Sequence, residues 1–296
     1  MMAKKDQGYW YLASYPKSGN TWCRVFIPEL KRLSVRQEER EELNLNRDVE
    51  TGAIASSRHW LNDQLGINTC DLSYAELDPL RGLAGQTANL FAEGERFHKV
   101  HDAFRSPDSK GRPIVCTNGC KGVVYILRHP EDVAVSLSHF FSWDLPRCVN
   151  FLMDPSASLL GGEGHGGHQV RQFMGRWDRH VKSWVDQTEL PSLVIRYEDM
   201  LDDGQNTFLK LAKFLELTSD EELVNQAIAN TSIDRLKKLE DEVGGFDEKP
   251  DGCERFFRSG KSGEGAEKLS IEQRRRLYKG LEDVMNRFSY TGSSDE

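Results

Sequence analysis

Residues 10–22 read Trp10-Tyr11-Leu12-Ala13-Ser14-Tyr15-Pro16-Lys17-Ser18-Gly19-Asn20-Thr21-Trp22. The first five form a short aromatic and aliphatic run closed by Ser14, which reads as a buried strand. The next six, from Tyr15 to Asn20, are a turn-rich break. Beyond them Trp22, Val25, Phe26, Leu30 and Leu33 recur at helical spacing. A strand that runs through a tight polar loop into a helix aims backbone N–H groups and a positive helix end at one spot. Lys17 adds a compact positive charge there, Gly19 permits close backbone approach, and Thr21 offers a hydroxyl donor. Trp22 can stack on an aromatic base. The loop is not a nucleotide-triphosphatase loop, in which Lys follows the second Gly. Here Lys17 comes two residues before the only Gly, and no magnesium-binding aspartate follows a strand.

The same alternation recurs along the chain. Phe97–Val100, Val123–Leu127 and Leu193–Arg196 read as further strands. Val123–Leu127 runs into Arg128-His129-Pro130 and a helix from Glu131 to about Phe141, with Pro130 suited to its first turn and Glu131 and Asp132 to its positive end. Phe208, Leu211, Ala212 and Leu215 form another apolar stripe, and Ser219 with Glu222 fits a capping box opening a helix through Ile228. Strands alternating with helices predict an α/β fold with a central parallel sheet covered by helices on both faces. The chain, 1–296, reads as a single domain. Residues 34–96 are polar and mixed, with a charged run at Arg36–Glu42 that suits a solvated helix face. Gly161–Gly167 and Val243–Gly265 read as loops, either plain or lid-like.

Composition excludes several classes. The 47 acidic and 39 basic residues give a net charge of −8, which argues against non-specific binding to a nucleic-acid backbone. An anionic small ligand needs only a few local cations and a helix end. No stretch approaches the apolar length of a membrane span, and residues 1–16 carry no apolar leader, so stable membrane association is not expected and the reading is cytoplasmic. The 6 cysteines are scattered, unlike a disulfide scaffold, and Cys116 with Cys120 is the one close pair where zinc sites usually have two. His165 and His168 lack a third ligand nearby, so no metal is expected.

The segment Tyr15–Trp22 resembles the 5′-phosphosulfate loop of sulfotransferases that use 3′-phosphoadenosine 5′-phosphosulfate (PAPS), which implies cofactor contacts from Lys17, Ser18, Gly19, Asn20, Thr21 and Trp22. Arg128 to Ser136 is similar to the family's second motif, and the resemblance implies that Arg128 and Ser136 bind the 3′-phosphate. Lys99-Val100-His101 resembles a Lys-Thr-His whose His is the catalytic base. Tyr197-Glu198-Asp199 and Thr231-Ser232-Ile233 resemble adenine-contacting segments, through Tyr197, Thr231 and Ile233. Arg258-Ser259-Gly260 resembles the Arg-Lys-Gly that completes the 3′-phosphate site. The matches are collinear from residue 11 to about 265, with the look of the bacterial branch, and imply a P-loop-like sheet. Ile233 stands where the family has an aromatic, and Ser259 where it has Lys, with Lys261 two residues on. The family's dimer motif is absent from Ala266 to Arg275, so oligomeric state stays open.

The resemblance implies transfer of a sulfuryl group from PAPS to a hydroxyl or amine of a small molecule. A hydroxyl is a poor nucleophile at neutral pH, so a base must take its proton, and imidazole suits that task. Of the 8 histidines, His101 ends a strand and sits in the motif. Lys17 is expected to stabilise charge on the leaving phosphate, with Ser136 as its hydrogen-bond partner. Lys99 either helps hold the transferring group or is a solvated strand-end lysine. Competing readings are a small-molecule kinase, which the loop's lysine position opposes, and a non-catalytic PAPS-binding protein, which would need no base. Residues 34–96 and 143–170 are the expected acceptor-facing regions and name no acceptor. Trp143, Phe151, Phe173 and Trp177 either line an apolar pocket or pack in the core.

Overall fold

A computed structural model describes residues 8–35, 42–49, 54–91, 94–159, 167–250 and 252–290. In chain order the elements are β1 (Gly8–Ser14), α1 (Asn20–Leu33), α2 (Leu45–Asp48), α3 (Arg58–Leu65), α4 (Tyr74–Leu90) and β2 (Glu95–Val100). Then come β3 (Gly122–Leu127), α5 (Pro130–Phe141), α6 (Leu145–Met153), β4 (Ser158–Leu159), β5 (Gln172–Phe173), α7 (Trp177–Val185) and β6 (Ser192–Arg196). The chain ends through α8 (Tyr197–Asp202), α9 (Gly204–Phe214), α10 (Glu221–Asn230), α11 (Ile233–Glu242), α12 (Glu264–Lys268) and α13 (Ile271–Arg287). Of the segments read from sequence, the charged run Arg36–Glu42 (save Glu42) and the loop Gly161–Gly167 (save Gly167), with His165, lie outside the described residues.

The central sheet has the order β2-β1-β3-β6 and is parallel. Its β1–β2 register pairs Trp10 with Phe97 and Ala13 with Val100. Successive strand side chains point to opposite faces, and every residue of β1 and β3 is buried. Both faces of these strands are therefore covered, as in a parallel α/β sheet. Parallel neighbours require long crossovers. From β1 the chain adds β2 on one side, then returns to place β3 on the other. The order thus reverses between β1 and β3, and in open α/β sheets ligands bind beyond the carboxyl ends of the strands at such a reversal. The loops after those two strands carry Lys17 and Arg128.

Two compact units divide the chain. The first comprises residues 1–15, 52–125 and 151–194. It holds most of the sheet, with α3 and α4 packed around Leu61, Leu77, Ala84 and Val170. The second comprises residues 16–51, 126–150 and 195–296. Its core includes Val25, Leu45, Val49, Leu236, Leu239, Phe246 and Phe257, with Trp22, Ile233 and Phe256 against it. The apolar stripe of α1 does what its spacing predicts: Val25, Phe26 and Leu30 are buried.

Two local expectations change. The helix expected to start at a Ser219 cap is capped instead by Asp220, whose carboxylate accepts from the N–H groups of Glu222 and Leu223. A carboxylate satisfies two of the helix's orphan donors and complements its positive end. The polar stretch 34–96 contains the 17-residue α4, opened by a capping box of Ser73 and Glu76.

Candidate functional site

The second unit gathers the cationic and aromatic residues of the loop motifs. Lys17 (φ 69°) and Gly19 (φ 99°) both take the left-handed conformation, which wraps the chain into the first turn of α1. Gly19 is required: a Cβ there would lie 2.6 Å from the Tyr197 ring. The N-cap of α1 is Gly19, which has no side chain to cap it, and the first turn carries no acidic residue, so its N-terminus keeps its positive character. The Lys17 ammonium lies over the faces of Phe140 (3.7 Å) and Phe256 (4.4 Å), a cation–π arrangement. Asn20 is buried, Thr21 and Trp22 half-buried, and the Trp22 ring meets Tyr197 edge-on.

Arg128 ties two loops together. Its Nη1 donates to the Lys17 carbonyl (3.1 Å) and its Nη2 to the Lys261 carbonyl (2.9 Å). Its guanidinium covers the Tyr197 ring at 4.3 Å. The segment that follows Gly260 is held by Asp132, whose two carboxylate oxygens accept from the N–H groups of Gly263 and Gly265, each at 2.8 Å. Gly260 (φ 65°) lets Ile233 approach, since a Cβ would fall 2.5 Å from Ile233 Cγ1. Ser136, on α5, is half-buried. Thr231 is fully buried, and its hydroxyl donates to the Ala227 carbonyl (2.8 Å) at the end of α10.

Arg258 and Ser259 have a partner that the motifs do not announce. Both guanidinium ends of Arg258 and the Ser259 hydroxyl (2.7 Å) donate to the Glu264 carboxylate. Partial burial works against that charge, but hydrogen bonds from Arg258 and Ser259 and the nearby Arg258 and Lys268 charges outweigh it and hold the carboxyl at about 2. Lys268 lies 3.6 Å away, whereas the exposed Lys261 contributes its carbonyl to Arg128. Glu264, Phe140 and Phe256 are not singled out from sequence, and Asp132 is read there only as an acid at the start of its helix. The signal for Glu264 was its place between Gly263 and Gly265, in the loop that also carries Arg258.

The first unit holds His101, just past the end of β2. Its Nδ1 lies 3.0 Å from the Ser14 carbonyl and 3.2 Å from the Ser14 hydroxyl. A carbonyl only accepts, so Nδ1 donates to it, and in the neutral form of the ring the lone pair lies on Nε2. Lys99 is half-buried, and its carbonyl accepts from the Ala55 N–H (3.0 Å). His98 is buried against Tyr9, Tyr11 and Trp60, ring edge to ring face. Among the four aromatic residues weighed for an apolar pocket, Trp177 is fully buried, and the other three are half-buried.

Residues 10–289 match the sulfotransferase domain, and the chain belongs to that family. Sulfotransferase 1B1 of the dog is 26% identical over 234 residues, which cover 76% of this chain and 65% of that protein. Human sulfotransferase 1E1 is 33% identical over 128 residues, covering 40% of this chain and 38% of its own length. The chain thus spans less than two thirds of these relatives. A retinol dehydratase solved with retinol and PAP superposes with a TM-score of 0.60 over 94% of this chain and 81% of its own at 20% identity, a likeness of fold. No helix among the described residues is long and apolar enough to cross a membrane.

Proposed function

We propose that this protein moves a sulfuryl group from PAPS to a hydroxyl or amine of a small molecule. The observation that carries the reading is a set of buried donors in the second unit. Ser18 Oγ, Trp22 Nε1 and Arg128 Nε have no hydrogen-bond partner among the described residues. Buried polar groups are rarely left unsatisfied in a native structure. Ser18 follows Lys17 in the loop after β1, Trp22 lies in the first turn of α1 and Arg128 directly follows β3, and donors among cations fit an anionic nucleotide. The donor, when bound, supplies a sulfuryl group activated by a mixed anhydride with phosphate.

In this reading the protein's groups divide the work. The α1 N-terminus, Lys17, Ser18, Asn20 and Thr21 hold the 5′-phosphosulfate, and Lys17 offsets charge growing on the leaving phosphate. Arg128, Ser136, Arg258, Ser259 and the Gly260 backbone hold the 3′-phosphate. Trp22, Tyr197 and Ile233 flank the base, with Thr231 behind them. His101 Nε2 takes the acceptor's proton, because the Ser14 carbonyl keeps the other proton on Nδ1. Lys99 is proposed to steady the transferring group.

The test is a thermal-shift and calorimetric comparison of 3′,5′-adenosine bisphosphate (PAP), AMP and ATP with magnesium. A ligand at 100 times its Kd adds about 2.7 kcal/mol, and each kcal/mol raises Tm by roughly 2–4 °C in a domain of this order of size. PAP is expected to give a shift of that kind and AMP far less. Equal stabilisation by PAP and AMP removes the 3′-phosphate assignment, and preference for magnesium–ATP turns the reading towards a kinase.

Glu264 makes a second expectation. Its carboxylate holds the two 3′-phosphate donors Arg258 and Ser259, and like charges close together repel. Glu264→Gln keeps an acceptor for Ser259 and removes the negative charge. PAP affinity is expected to rise about 3–10-fold, a gain near 1 kcal/mol, with AMP affinity unchanged. Weaker PAP binding in a calorimetric titration would instead show that the carboxylate sets Arg258 in its binding geometry.

A further inference from the structure

His101 is also held from behind, by a group outside every motif of the sequence. Helix α7 presents His180, Ser183 and Trp184 on one face, at the spacing of helical neighbours. His180 Nε2 lies 2.9 Å from the His101 carbonyl. Trp184 Nε1 donates to the Asp102 carbonyl (2.9 Å), and the Ser183 hydroxyl accepts from the Phe104 N–H (3.1 Å). Asp102 is itself clamped by the buried Arg81 guanidinium and by the Phe173 N–H. One helix face thus grips the chain at 101, 102 and 104.

The proton positions on His180 follow from its partners. His180 is fully buried. Desolvation, only partly offset by its hydrogen bonds at His101 and Asp102, lowers its pKa to about 4, so the ring is neutral near pH 7 with one proton. The His101 carbonyl only accepts, so Nε2 carries that proton. Nδ1 then keeps a lone pair, and the Tyr125 hydroxyl, 2.9 Å away and also buried, must donate to it. The ring of Tyr15, one residue past Ser14, packs edge-on against His180 at 5.1 Å. Donation therefore runs in one direction, from Tyr125 to His180 to the His101 carbonyl, while His101 donates from Nδ1 to Ser14.

We propose that His180 is a positioning residue for His101, with Tyr125 fixing the tautomer in which His180 can hold the His101 carbonyl. The proposal rests on the reading of His101 as the base. It assigns a task to a buried pair that fold stability alone does not require to be polar, since an apolar filler of equal shape avoids the burial cost of both groups.

The experiment uses the full chain and four variants: His180→Leu, His180→Gln, Tyr125→Phe and His101→Ala. Three readouts are taken: PAP affinity by calorimetry, PAPS turnover with a panel of simple phenols, and ¹⁵N-histidine NMR of the His101 tautomer with PAP bound. Loss of an orienting partner typically costs a reacting group roughly 10–100-fold. His180→Leu is expected to lower turnover by about that factor at unchanged PAP affinity, and to replace the single Nδ1–H signal of His101 by a tautomer mixture. His180→Gln offers an amide donor and a carbonyl acceptor in place of the two ring nitrogens, and is expected to restore most of the loss. Tyr125→Phe is expected to fall between, and with the Gln variant it keeps the test decisive if the Leu variant does not fold. A Gln variant no better than Leu, or a His101 tautomer and turnover untouched by both Tyr125→Phe and His180→Gln, overturns the proposal. Full turnover in His101→Ala instead removes the base assignment, whereas the NMR readout judges the positioning of His101 without reference to turnover.

Discussion

His101→Ala is expected to turn PAPS over roughly 10²–10⁴-fold more slowly, the usual contribution of a general base, while binding PAP as tightly as the parent. The separation follows from the chain's organisation. His101 lies in the first unit with Ser14, whereas Lys17, Arg128 and Arg258 belong to the second. His98 is the contrasting substitution. Its ring is buried among Tyr9, Tyr11 and Trp60, so His98→Ala leaves a cavity, and its cost is expected in stability, about 2–5 kcal/mol by analogy with other large-to-small core changes. Comparing turnover per folded molecule in the two variants checks the assignment. Unimpaired turnover in His101→Ala would refute it.

Mild acid is expected to destabilise the protein well before its carboxylates titrate. Burial lowers His98 to about 3, with Arg96 adding to the effect. Burial likewise lowers His129 to about 4, with the Arg196, Arg274 and Arg128 charges opposing a partial rescue by Asp132. His180 also falls to about 4. An unfolded histidine takes up its proton near pH 6.5, where these three folded rings do not. Their contribution to stability is therefore complete above about pH 6.5 and shrinks as pH falls towards 4, and to 3 for His98. At 1.36 kcal/mol per pKa unit, a ring displaced from 6.5 to 4 accounts for about 3 kcal/mol. Two or three such rings are comparable with the roughly 5–15 kcal/mol that holds a typical domain together. Urea titrations at stepped pH from 8 to 4.5 measure the slope. The expected result is a steep loss below pH 6.5, with a shallower slope in His98→Phe, which keeps a ring edge and removes the proton. A flat profile between pH 7 and 5 would contradict the three neutral rings.

How far the sequence could be read depended on whether a residue acts through local pattern or through distant partners. Trp10–Ser14 and Val123–Leu127 are apolar runs between turn signals, and both are central strands, extended by two residues and by one. The glycine at position 19 declared a close approach, and the Tyr197 ring fills the space its missing Cβ leaves. By contrast the face that α4 buries runs through Leu77, Arg81, Ala84, Gly85 and Ala88, with Asp78 beside it, so two charges and a glycine interrupt its apolar stripe. Glu264 looked like one more charge in a polar loop, because its meaning lies in Arg258 and Ser259 folded back on it. His180 was silent for the same reason. Its partners, His101 and Tyr125, are 79 and 55 residues away, and no spacing rule joins them.

The brace at Arg128 sets a schedule for the ribosome. The loop that begins at Lys17 leaves the exit tunnel early, but Arg128 joins it to a carbonyl at Lys261, and Asp132 waits for Gly263 and Gly265. At roughly 5–20 residues per second, the interval between synthesis of the first and last of these residues is on the order of 10–50 s. Through that interval the nascent chain carries the apolar stripe of α1 without the Leu236–Phe257 surfaces it later packs against. Production of the protein should therefore respond to slowed translation of the 230–265 segment and to chaperone supply more sharply than its equilibrium stability alone would indicate.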